Sequence, residues 1–161
     1  MNRRFIIAAG GTGGHFYPGF ALGRLLNKQN CSVLFVVRKD DPAIRVLQES
    51  KLKYQEIDFR SFPRSLNPFK QVAFACKLFG ALRQTRQILR QFKPDVAVGT
   101  GGYISFPLIF SAHRMGIKTA VHDSNTKIGL SNRICSYFTD LFLLGLPVTR
   151  PLRNAQLVGT P

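Results

Sequence analysis

The sequence predicts an α/β fold, a parallel sheet with helices on both faces, and three observations carry that expectation. Short β-rich runs alternate with longer helical ones along the chain, which implies right-handed βαβ units. Most of the strand candidates are near-continuous apolar runs, as strands covered on both sides are. The first run, Phe5-Ile6-Ile7, leads into a glycine turn, Gly10-Gly11-Thr12-Gly13-Gly14, and then an amphipathic segment. That order of strand, glycine turn and helix belongs to Rossmann-like sheets.

Taken in order, the strand candidates are Arg4–Ala9, Ser32–Val37, Tyr54–Ile57, Asp95–Val98, Lys118–Val121 and Leu141–Leu144. Each is a short apolar or β-branched run bounded by polar or turn residues. The helical candidates between them are Gly19–Gln29, Pro42–Ser50, Phe69–Phe92, Pro107–Met115 and Gly129–Phe138. Ser61–Pro68, with two prolines, Asn67 and Arg64, reads as the one long loop. Met1-Asn2-Arg3-Arg4 before Phe5–Ala9 has a faint likeness to a signal peptide. Glycines follow at once, so the run is expected to be the first strand of a chain that is not exported. The 161 residues are expected to form one domain.

Composition narrows the partners. Hydrophobic residues make up 45% of the chain, enough for a packed core and too many for a disordered segment. No apolar run approaches the roughly 18–20 residues that span a bilayer. Cys31, Cys76 and Cys135 are odd in number and far apart, without disulfide or zinc spacing; they read as small buried hydrophobes in a reducing compartment. The net charge of +15, from 23 basic and 8 acidic residues, calls for an anionic partner: nucleic acid, anionic lipid or a phosphorylated substrate.

Two glycine turns carry the candidate chemistry. The first is Gly10–Gly14, with His15 at its mouth; the second is Gly99–Gly102. Glycine allows positive φ and close approach of backbone N–H groups to a ligand, and a helix starting just beyond directs its positive end at an anion. If the two preceding strands are neighbours, the turns face each other and together suit a diphosphate. The dinucleotide fingerprint fails, because Phe16 stands where a third glycine is required and Val36-Val37-Arg38 ends the second strand without a ribose-binding acid. The P-loop pattern fails as well, since no Gly-Lys-Ser/Thr follows the turn. A tight strand–helix connection with no ligand remains open on these residues alone.

The longest helical candidate has two faces. Phe74, Leu78, Ala81, Thr85, Ile88 and Phe92 recur at offsets of four and three, a stripe turned to a core. The opposite face carries Val72, Cys76 and Phe79, then Arg83, Arg86 and Arg90. No acidic residue stands between Asp58 and Asp95, and Phe59, Phe62 and Phe69 lie just before or at the helix start. An exposed apolar patch ringed by arginine suits an anionic membrane surface, each basic residue adding roughly 1 kcal/mol there. The alternative is a solvated basic face with Val72 and Phe79 packed under a loop. No basic strand interleaved with aromatics and no helix-turn-helix pattern supports nucleic acid.

Three motifs in order make a specific resemblance: Gly10-Gly11-Thr12-Gly13-Gly14-His15 with Pro18; Gly101-Gly102-Tyr103-Ile104-Ser105-Phe106-Pro107; and His122-Asp123-Ser124-Asn125 with Gly129 and Asn132. Together, from Arg4 to Pro161, the chain resembles the N-terminal domain of the MurG family within glycosyltransferase family 28. These are the lipid I N-acetylglucosaminyltransferases of peptidoglycan synthesis. The resemblance implies the acceptor half of a GT-B fold, and inverting transfer from UDP-N-acetylglucosamine without metal or other cofactor. It also implies peripheral attachment at the cytoplasmic face of the membrane. It assigns Thr12, Gly13, Gly14, Gly101 and Gly102 to the acceptor diphosphate and His15 to the acceptor hydroxyl, as general base or its orienter. Tyr103 and Ser105 are open between lining the acceptor crevice and packing within the turn, Asp123 and Asn125 become candidate acceptor contacts, and Val72, Phe79, Arg83, Arg86 and Arg90 the membrane contact. His122 is open between a structural and a functional role, and His113 reads as surface.

The third motif departs from the family's His-Glu-Gln-Asn: Asp123 is one methylene shorter than glutamate, and Ser124 replaces an amide. Family members also continue into a donor-binding domain beyond the Gly-Thr-Pro that ends this sequence. The donor site is therefore expected on a further domain or a separate subunit, as in a split enzyme. A non-catalytic module holding lipid-linked sugar or membrane is the alternative from another class.

Overall fold

A computed structural model describes residues 3–59, 67–148, 152 and 154–161. Its seven strands form one parallel sheet in the order β3-β2-β1-β4-β5-β6-β7. The strands are β1 (Arg4–Ala8), β2 (Ser32–Arg38), β3 (Tyr54–Ile57), β4 (Val96–Gly99), β5 (Lys118–Asp123), β6 (Leu141–Leu144) and β7 (Ala155–Leu157). The helices are α1 (Gly13–Lys28), α2 (Ala43–Glu49), α3 (Pro68–Phe92), α4 (Ser105–Arg114) and α5 (Leu130–Cys135). Strand order reverses between β1 and β4, which pair directly through Phe5–Val96 to Ala8–Gly99.

Alternation along the strands sorts the core into two layers. Ile6, Ala8, Leu34 and Val36 face α3 and α4, packing with Ala81, Leu89, Leu108 and Ile109. Ile7, Ala9, Val33, Phe35 and Val37 face α1 and α2, packing with Phe16, Ala43 and Leu47. Helix α1 lies so close to the sheet that a Cβ at Gly23 would overlap the Phe35 ring.

The predicted fold class and the six predicted strands are present, with ends shifted by at most two residues. Three differences matter. Helix α1 begins at Gly13 rather than Gly19, so the second half of the glycine turn is its first turn. Pro18 has its ring buried, and it is tolerated there because only the bond to the carbonyl of the exposed Gly14 is lost. Strand β7 escapes prediction because it is a three-residue edge strand with two exposed positions, too short for a periodic signal. Helix α5 ends at Cys135 rather than Phe138, its last carbonyls being closed by turns at Ser136–Thr139.

Helix α3 begins where sequence chemistry dictates. The Asn67 side chain accepts from the Phe69 amide at 2.9 Å and Pro68 takes the first helical position. Lys93 ends it in the left-handed region, with Pro94 following. Most of the predicted Ser61–Pro68 loop, including Phe62, lies outside the described residues.

Candidate functional site

The carboxyl ends of β1 and β4 bring the two glycine turns into contact. Gly101, at φ +109°, leaves no room for a side chain: a Cβ there would overlap the imidazole of His15. A Cβ at Gly102 would stand 3.2 Å from the Gly10 carbonyl oxygen. Thr100 fastens the two turns, its hydroxyl donating to the His15 carbonyl at 2.6 Å and lying 3.2 Å from that of Ala8. The switch point of the sheet is thus a cleft of about 810 Å³, lined by Gly10, Gly11, Thr12, His15, Arg38, Lys39, Asp40, Phe59, Gly102, Tyr103, Ile104 and Gly129–Asn132.

His15 sits in the first turn of α1, with Nδ1 buried against Gly101 and without a hydrogen-bond partner. That contact fixes the ring, and its remaining edge borders the cleft. Thr12 precedes the helix without capping it through its side chain. The amides of Gly13 and Gly14, among the first four of the helix, have no helical acceptor, so they and the helix dipole form an anion-binding end.

The Gly11 amide is not free for that purpose. It donates to the Asp41 carboxylate at 2.8 Å; Asp41 also accepts from Ala43 N at 3.0 Å and lies 3.8 Å from the Arg38 guanidinium. Asp41 is buried, and it stands just past the end of β2, where no ribose-binding acid was found. It instead holds the first turn in shape. The Asp41-Pro42 pair at a helix start is the signal that could have found it.

Several predicted contacts are placed elsewhere. Ser105 is fully buried; its hydroxyl donates to the Gly101 carbonyl at 2.7 Å and accepts from the Gly101 amide at 3.1 Å. It shapes the second turn and does not line the cleft. Asp123 is also fully buried, and its carboxylate accepts from Asn125 N, Asn125 Nδ2, Gly129 N and Asn132 Nδ2 at 3.0–3.2 Å. It organises the 123–132 loop, each of its two oxygens already accepting two hydrogen bonds. The shorter side chain therefore acts on loop geometry. Asn125 is exposed, tied to Asp123, and outside the cleft lining.

Of the remaining candidates, Thr12, His15, Gly102 and Tyr103 line the cleft, Gly13 and Gly14 are exposed at the helix end beside it, and Gly101 lies under His15. Asn132, part of the third motif, is a cleft residue. Its Nδ2 is held by the His122 carbonyl and Asp123, which leaves its buried Oδ1 unpartnered. His122 is buried, with Nε2 3.0 Å from the Gly159 carbonyl, a structural placement. His113 is exposed, its ring against Phe138. Cys135, in α5 behind the cleft wall, has its thiol pushed up to about 12 by burial, so it stays protonated and inert at neutral pH.

The outward face of α3 is exposed as predicted: Val72 by 64% and Phe79 by 70%, with Arg83, Arg86 and Arg90 following. The expected alternative, burial of Val72 and Phe79 under a loop, does not occur. No helix among the described residues is long and apolar enough to cross a membrane.

Comparison with known proteins agrees with the fold. Residues 5–142 match the glycosyltransferase family 28 N-terminal domain. A UDP-N-acetylglucosamine–N-acetylmuramyl-(pentapeptide) pyrophosphoryl-undecaprenol N-acetylglucosamine transferase of Elusimicrobium minutum is 58% identical over 159 residues, 99% of this chain and 44% of the relative. The transferase of the same name from Lacticaseibacillus casei is 34% identical, over 98% of this chain and 45% of its own. The crystal structure of Acinetobacter baumannii MurG superposes with a TM-score of 0.85 at 25% identity, covering 98% of this chain and 46% of that one. This sequence thus spans somewhat under half the length of these relatives. On the family match and the shared fold, the chain belongs to glycosyltransferase family 28, as its N-terminal domain.

Proposed function

We propose that this chain is the acceptor-binding half of an inverting N-acetylglucosaminyltransferase, taking undecaprenyl-diphospho-N-acetylmuramyl-pentapeptide as acceptor. The observation that carries the reading is the meeting of the two glycine turns at the β1–β4 switch point, with His15 locked between them. The anion-binding end of α1, at Gly13 and Gly14, takes the diphosphate, aided by the open backbone at Gly102. A sugar attached to that diphosphate then extends into the cleft past His15, toward Tyr103 and the Ser131–Asn132 wall.

In this arrangement His15 acts as general base. Neutral imidazole accepts the proton of the acceptor hydroxyl as its oxygen attacks the anomeric carbon of the donor sugar. The bond to the departing UDP breaks as the new glycosidic bond forms on the opposite face, which inverts the configuration. UDP-N-acetylglucosamine is held by a donor-binding half, on the same polypeptide or on a partner. The exposed apolar and basic face of α3 attaches the domain peripherally to the cytoplasmic membrane surface, where the polyprenyl chain of the acceptor resides.

The test is His15→Ala in the enzyme completed by its donor-binding half. Turnover is expected to fall about 100-fold or more, with binding to acceptor-containing vesicles retained. Normal turnover removes the general base. Tight binding of UDP-N-acetylglucosamine by the present chain alone overturns the assignment of the acceptor half.

A further inference from the structure

The cleft's rim at the end of β2, Arg38-Lys39-Asp40, has no part in the transfer itself. We propose that Arg38 and Lys39 form a subsite for a carboxylate of the acceptor's peptide, so that this domain reads the peptide as well as the sugar diphosphate. The proposal rests on the acceptor reading given above and deepens it, adding a second anchoring point on the same substrate.

Sheet order places the rim. On one side of β1 lies β2, and on the other β4 and then β5. The rim and the 129–132 wall therefore close opposite ends of the cleft, with the first glycine turn and His15 between them. Arg38 continues the side of β2 that carries Leu34 and Val36. Phe59 and Ile104, which pack in the same layer, border the cleft on that side.

The rim is held from both ends. The Lys39 amide donates to the Ile57 carbonyl at 3.0 Å, and the Asp41 amide donates to the Arg38 carbonyl at 3.1 Å. Nε of Arg38 lies 3.8 Å from the carboxylate of the buried Asp41, and the Arg38 side chain is 41% exposed. That distance orients the guanidinium by charge and is too long for a hydrogen bond, so its N–H donors are not taken up by Asp41. Lys39 has no ion pair among the described residues. A guanidinium fork matches a carboxylate through paired N–H donors, and the ammonium beside it adds a second positive charge.

The rest of the acceptor selects the peptide. With the diphosphate at the Gly13–Gly14 end of α1 and the acceptor hydroxyl at His15, the parts left to reach the β2 end are the polyprenyl chain and the peptide. A hydrocarbon gains nothing from a charged rim. The peptide ends in a carboxylate, and five extended residues span about 17 Å. Asp40 argues the same way: it lines the rim without an ion pair among the described residues. A carboxylate there repels a multiply charged diphosphate, whereas a strip of mixed sign suits a peptide whose charges are single and separated by neutral amides.

The experiment uses the enzyme completed by its donor-binding half and a short-chain, water-soluble acceptor in two forms. In one the peptide carboxyls are free; in the other they are converted to carboxamides. Both keep the diphosphate, the sugar and the length of the peptide, and the readout is the ratio of kcat/KM between them. The unsubstituted enzyme is expected to prefer the free form about tenfold, through KM, and Lys39→Gln to lose at least about threefold of that preference. Arg38→Gln should do the same, but it also removes the charge beside Asp41; Lys39→Gln keeps the test independent of the first turn. Equal use of both forms by the unsubstituted enzyme, or a preference that survives intact in Lys39→Gln, overturns the subsite. So does an equal loss on both forms, which moves the lysine to the diphosphate. These three results leave the acceptor reading standing, whereas failure of the unsubstituted enzyme to use either form sinks both.

Discussion

The cleft and the outward face of α3 are both binding surfaces, and they are built in opposite ways. In the cleft, side chains serve the backbone. Asp41 holds the Gly11 amide, Thr100 the His15 carbonyl, Ser105 both polar groups of Gly101, and Asp123 the 123–132 loop, and all four are buried. What is left to meet a ligand is the main chain of the two turns, together with cleft side chains such as His15, Arg38, Lys39, Tyr103 and Asn132. On α3 the backbone is closed within the helix, and side chains alone carry the chemistry. Substitutions in the cleft should therefore change folding and binding together, whereas on α3 the two should come apart.

The largest effect on stability is expected at Asp123. Replacing it by alanine leaves four buried or half-buried donors without their acceptor. A charged acceptor with several partners is worth about 3 kcal/mol or more when removed. Denaturant unfolding of Asp123→Ala is expected to show a loss of that size. A loss under about 1 kcal/mol, within the range of ordinary surface changes, would mean that the network does not hold the loop and would break the contrast.

The same contrast explains what the sequence made legible. The parallel sheet was readable because doubly covered strands are written as apolar runs, and the α3 stripe because 3.6-residue periodicity is a strong signal over 25 residues. Both glycine turns are visible because each needs positive φ, at Gly10 and Gly11 in the first and at Gly101 and Gly102 in the second. The hydrogen bonds of Ser105 and Asp123 back to their own turns are not legible in sequence: a polar residue in a motif looks the same whether it points at a ligand or back at its own loop. Asp41 was missed because its partner Gly11 is 30 residues away and only the β1–β2 pairing brings them together. The free Oδ1 of Asn132 is not legible in sequence, since it follows from which acceptors hold its Nδ2.

Gly101→Ala is expected to come next in size and sharpens the comparison at one atom. A left-handed φ costs a non-glycine residue of order 1–3 kcal/mol, and the added methyl group must also displace the His15 ring. Unfolding should show a loss of about 2 kcal/mol, and the His15 imidazole resonances should shift in NMR spectra. A ring that stays in place would mean that the two turns are not mutually locked, removing the geometry on which the general-base assignment stands.

The smallest effect on stability is expected at Phe79. Its ring is 70% exposed, so Phe79→Ser removes little burial, and the unfolding free energy should stay within about 0.5 kcal/mol. Serine has a somewhat lower helix propensity than alanine or leucine, but replacing phenylalanine by it is nearly neutral on that scale. Binding to anionic vesicles should behave differently. Seating an exposed phenylalanine in an apolar phase contributes about 1.5 kcal/mol or more, so partitioning should weaken about tenfold while the fold is unaffected. If vesicle binding is unchanged and only added salt weakens it, the arginines act alone through screened charge and the apolar part of the face has no role. If stability falls instead, Phe79 is packed in solution, and the α3 face belongs with the cleft as a surface whose side chains serve the fold.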